Sequence, residues 1–223
     1  MCFSATASFT AAIILMPIGI YCLNRAINYH KLFWPIALLP LIFGFQQFFE
    51  GLVWLGFESD SGATSRYAAL IYLFFSHVFW LVWIPFACYV VENNPVKKKL
   101  FFILILIGAT YGLSLYIPLW GYENWLGIEL VNHSIEYKTT LLYDRYISKE
   151  IVSLFYTLII LVPLLGASDR YIRTFGIVIV ASVIITILFL DYAFISVWCY
   201  FSALLSFYIL VLIMNKDRKN LID

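Results

Sequence analysis

Charge is what this 223-residue sequence has least of: only 12% of it is Asp, Glu, Lys or Arg, about half the share of a soluble domain. No Lys or Arg precedes Arg25, so the first apolar block lacks the positive n-region of a cleaved secretory leader. No hydrophobic signal precedes Cys2, which excludes a lipoprotein site. The one dense basic cluster, Lys97-Lys98-Lys99, lies between apolar blocks. It reads as a cytoplasmic anchor, and no nucleic-acid partner is expected. Histidine is scarce too, with three in the chain, of which His30 and His133 are expected on opposite sides of a membrane. That excludes the three-His site of the seven-helix zinc amidases and ceramidases and a His pair for b-type haem. There is no Lys in the last apolar block for a retinal Schiff base, no Walker loop for nucleotide and no Gly-x-Ser-x-Gly. His-x-x-x-His and Cys-x-x-Cys are absent as well. No internal repeat supports a small transporter, and no Gly/Ser linker marks a second domain.

What remains is apolar: 63% of the residues are hydrophobic and the mean hydropathy is +0.92. They come in long blocks joined by short polar links, the pattern of a polytopic helical membrane protein. The expected fold is all-α, a single domain over 1–223 with seven transmembrane helices near 7–27, 33–56, 67–91, 100–120, 147–167, 175–192 and 195–214. The last two require a tight turn around 191–193. Ten of the 14 basic residues fall on the links of one side. This bias predicts an N-terminus outside and a C-terminus in the cytoplasm. The loop 121–146 is then external, and partial alternation over 126–139 predicts a small hairpin across the outer mouth.

The second block carries Gln46, Gln47 and Glu50. On a helix they share one face with Trp54, at spacings of three and four. A carboxyl group in mid-membrane costs about 2.5–3.5 kcal/mol to insert, which makes it a site candidate. His77, near the middle of the third block, is expected to meet Glu50 or Gln47 across an antiparallel helix pair. Two readings stay open. One is a structural cluster in which carboxyl, amides and imidazole satisfy one another; the other is a functional site. The functional version is a proton relay, a general acid/base pair of Glu50 and His77, or a transition metal such as Zn or Cu held by His77, Glu50 and Cys2. Cys2 and Cys199 read either as an external disulfide or thiol site or as free thiols. Asp191 reads as a turn residue or as the rim of a cavity shared with Glu50 and His77.

Three segments carry a resemblance: Met1-Cys2-Phe3-Ser4-Ala5, Gln46-Gln47-x-x-Glu50-Gly-x-x-Trp54 and Ser196-Val-Trp-Cys-Tyr-Phe-Ser-Ala203. They are similar to a family of bacterial multi-pass membrane proteins that begin Met-Cys-x-Ser-Ala. The resemblance implies a bacterial inner-membrane location and brings no activity or cofactor with it. The reading that follows is an outward-facing polar pocket between the second, third and seventh helices, walled by Trp54 and Trp198. It would take a small molecule, a proton or a metal, with the lipid bilayer as surroundings. The alternative is an accessory subunit, its aromatic surface packed on partner membrane proteins or on a second copy.

Overall fold

A computed structural model describes residues 4–58, 62–131, 134–140, 142, 148–190 and 194–220. Helices dominate: α1 (Ala5–Tyr29), a short α2 (Trp34–Ala37), α3 (Leu39–Glu58), α4 (Gly62–Phe74) and α5 (Trp80–Val91) come first. Then follow α6 (Pro95–Gly121), α7 (Lys149–Gly166), α8 (Arg170–Leu190), α9 (Phe194–Leu205) and α10 (Tyr208–Asn220). Five helical runs, Ala5–Tyr29, Lys31–Phe57, Ser65–Val91, Pro95–Gly121 and Trp198–Lys216, are long and apolar enough to cross a membrane; a shorter apolar helix covers Glu150–Gly166.

Two expected spans are less regular than a uniform helix. Between α4 and α5 the chain makes a π-helical turn, Phe75–Phe79. The last span breaks at Ser206 and Phe207, between α9 and α10. The turn expected at 191–193 lies outside the described residues, although α8 ends at Leu190 and α9 starts at Phe194 on either side of it.

Local chemistry sets the helix ends. Ser4 caps α1 by accepting the Ala7 N–H at 3.2 Å, and Asn94 caps α6 by accepting from Val96 and Lys97, with Pro95 in the first turn. Both are side-chain acceptors for donors that a helix start leaves unpaired. Small residues set the packing. The buried stripe of α1 runs through Ser8, Ala12, Leu15, Gly19, Cys22 and Ala26, in steps of four and three. It forms a seam along which α1 and α3 approach closely; at Gly19 a side chain would overlap the Leu41 backbone.

The hairpin expected over 126–139 is present. Strands β1 (Leu126–Val131) and β2 (Ser134–Thr139) pair antiparallel, from Leu126 opposite Thr139 to Val131 opposite Ser134. Ile135 and Tyr137 point into the bundle, and the Tyr137 ring stacks on Tyr72 of α4 at 5.2 Å. Leu126, Ile135, Tyr137, Trp54, Tyr72 and Cys199 share one apolar cluster at this end. The larger core runs from Leu15, Phe43 and Trp80 to Phe175 and Leu212.

At the opposite end Glu92, buried at the tip of α5, ties two turns together. Its Oε1 accepts the N–H groups of Asn93 and Asn94, and its Oε2 accepts that of Ser168. Beside it Lys216 of α10 donates to Asp169 at 2.8 Å and lies 3.8 Å from the Phe33 ring centroid.

Candidate functional site

Three polar side chains of α3, Gln46, Gln47 and Glu50, are wholly enclosed, each at 0% exposure. Gln47 Nε2 donates to Glu50 Oε2 at 3.0 Å, the contact that a spacing of three on a helix provides. Gln46, on the same face, is engaged from a neighbouring helix: Trp80 of α5 donates its indole N–H to Gln46 Oε1 at 2.7 Å. The Trp80 ring also stacks on Phe43 at 4.0 Å. The Cys199 thiol of α9 is approached by the Tyr72 and Gln46 side chains and lies within the field of Glu50. Helices α3, α4, α5 and α9 therefore converge on one buried polar cluster.

The cluster is incompletely bonded. Gln46 Nε2 and Gln47 Oε1 are buried with no hydrogen-bond partner among the described residues, as are Ser8 Oγ and Trp54 Nε1. An amide has two donors and two acceptor lone pairs, so each Gln retains unused capacity.

His77 comes from the third apolar block. It sits in the π turn, buried, with Nδ1 3.0 Å from Ser76 Oγ and its backbone carbonyl against Gly112 of α6. Ser76 Oγ donates to Leu73 O, and Tyr156 of α7 donates its hydroxyl to Ser76 O. The residue from this helix that reaches the amides is Trp80, three positions on. π turns recur at functional sites, and this one holds Ser76 and His77.

Trp198 packs edge-on against Tyr156 at 5.5 Å, on the α7 side of the cluster. Trp54 lies one turn beyond Glu50, in the apolar cluster under the hairpin. Cys199 is a free buried thiol. Cys2 and Asp191 lie outside the described residues. Among those that are described, no group of three or more His, Cys, Asp and Glu is placed to hold a metal ion.

A partly open apolar cleft adjoins the polar cluster. It runs between α3, α5, α7, α8 and α9 and is walled by Phe43, Trp80, Tyr156, Ile179, Trp198 and Cys199 among others.

The chain matches a family model over residues 1–222, almost end to end, and that model is described as a family of unknown function, DUF6629. The chain belongs to this family. No curated protein and no solved structure is similar to it. The site therefore has to be read from its own geometry.

Sequence reasoning found the α3 residues because a polar group in an apolar helix is costly. It missed Trp80, Tyr72 and Tyr156, because aromatic residues in apolar blocks equally suit a lipid-facing surface. The one available signal is spacing. Ser76 and Trp80 stand four apart in the third block, level with the polar stretch of the second.

Proposed function

We propose that this is a seven-pass protein of the bacterial inner membrane, N-terminus outside and C-terminus inside, with an intramembrane polar site that binds a ligand. Gln46 and Gln47 supply the recognising amides, and Glu50, oriented by Gln47, is the carboxyl group beside them. Trp80 fixes the Gln46 amide, and Tyr72 and Cys199 complete the wall. His77 serves from behind, through the Ser76 turn. The five long apolar helices and the ten basic residues on one set of links support this placement.

The observation that carries the reading is the pair of unused amide atoms, Gln46 Nε2 and Gln47 Oε1, buried beside Glu50. A purely structural cluster should satisfy itself. Leaving a buried donor or acceptor unpaired costs about 1–3 kcal/mol, whereas an interhelical hydrogen bond in a membrane contributes about 0.6 kcal/mol on average. The cluster loses more than it gains unless something else completes it.

Native mass spectrometry of the protein released from membranes tests this. The wild type is expected to carry a bound small-molecule mass, and Gln46→Leu to hold it about tenfold more weakly, the effect of one lost hydrogen bond of about 1.4 kcal/mol. An unliganded wild type that instead leaves the membrane with stoichiometric protein partners would favour an accessory subunit and overturn the proposal.

A further inference from the structure

The polar cluster and the apolar cleft share two residues, and that junction restricts what the site takes. Trp80 donates its indole N–H to Gln46 while its ring lines the cleft, and Cys199 meets the Gln46 side chain and also lines the cleft. From there the cleft follows α7 from Tyr156 past Ile160 to Leu164, and α8 at Phe175 and Ile179. Tyr156 to Leu164 is roughly 12 Å of helix. Ser202 is the one hydroxyl on this stretch besides Tyr156, and no charged side chain lines it.

Glu50, Gln46 and Gln47 are fully enclosed, and Tyr72, which approaches Cys199 beside them, is stacked on by Tyr137 of the hairpin. An apolar chain has a lined path along the cleft.

Resting on the binding site proposed above, we infer that the ligand is a single-chain neutral amphiphile. Its chain occupies the cleft between α7, α8 and α9, and its head group meets the two amides. The head both donates and accepts hydrogen bonds, as a hydroxyl or primary amide does: it accepts from Gln46 Nε2 and donates to Gln47 Oε1. No charged side chain lines the cleft to balance an anionic head.

The test is photo-crosslinking in nanodiscs with a diazirine-bearing long-chain alcohol, the labelled peptides being mapped by mass spectrometry. Labelling is expected at Ile160, Leu164, Phe175 or Ile179, and to be competed by unlabelled hexadecanol. Filling the cleft by Ile179→Trp should remove it, as should a second filling variant, Ile160→Phe, each checked for an unchanged thermal transition. Gln46→Leu should lower it about tenfold by loss of one hydrogen bond. Labelling confined to the outward-facing Ile177 and Ile184, and indifferent to the filling variants, overturns the chain assignment alone. Labelling lost on filling but unchanged in Gln46→Leu leaves the chain in the cleft and overturns the polar reading.

Discussion

Glu92 and Glu50 are two buried carboxyl groups in different company. Burial of Glu92 pushes its pKa up, but the hydrogen bonds from the backbones of Asn94 and Ser168, the Ser168 hydroxyl and the Asn93 backbone outweigh it and leave the group below its ordinary 4.5. A depressed folded-state pKa means a contribution that is fully present above the unfolded value and lost as pH falls through the folded one. Glu92→Leu is therefore expected to cost about 1.5–3 kcal/mol at neutral pH, because the backbone N–H groups of Asn93, Asn94 and Ser168 lose a charged acceptor. The thermal transitions of variant and wild type in detergent should converge as the pH is taken well below 4.5. A gap that persists undiminished in acid would show that the clamp works by packing. Glu50 has Gln47 at 3.0 Å and stands beside amides with unused atoms. This contrast distinguishes the clamp from the site. The cost of a polar residue in an apolar block made Gln46, Gln47 and Glu50 legible from the sequence. The partner Trp80 was not, because the π turn changes which face of its helix meets α3, and no spacing rule for an α-helix anticipates that.

At the scale of the elements, close approach decides the packing of α5 on α6. Gly108 and Gly112, four apart, lie against the backbones of Leu81 and His77; a methyl group at Gly112 would stand 2.6 Å from the His77 carbonyl oxygen. Gly112→Ala is expected to force the π turn and α6 apart and to destabilise the protein by about 1–3 kcal/mol, the usual cost of overpacking. Gly121→Ala, with nothing within 4 Å, serves as the control and should leave the thermal transition where it is. Equal transitions for the two variants would mean that α6 docks loosely. Most elements were legible. Among the described residues the apolar blocks became helices, the alternation over 126–139 became a hairpin, and Asn94-Pro95 opened α6 as a cap and first-turn proline do. The break at Ser206–Phe207 was hidden, since an unbroken apolar stretch carries no Gly or Pro to announce a turn.

For the whole molecule, the aim of the fold is to bring the ends of distant segments to one place. Residues 46–50, 72–80, 156 and 198–199 come from five helices, and the hairpin from between α6 and α7 packs on Tyr72. Such convergence depends on helix order around the bundle, which hydropathy along the chain does not encode. On the function proposed above, this enclosed cluster is a binding site and not a fastening. The most direct measurement is the thermal unfolding of purified wild type and Glu50→Gln, each with and without the lipid extract of the membranes from which the protein was purified. Ligand that binds only the folded state raises the transition, by about 2.7 kcal/mol in stability at a hundredfold excess over its dissociation constant. The account predicts that the extract stabilises the wild type and that Glu50→Gln unfolds near the wild-type temperature but has lost most of that gain. A Glu50→Gln protein that unfolds well below the wild type, with the extract changing neither, would contradict it and make the cluster a structural fastening.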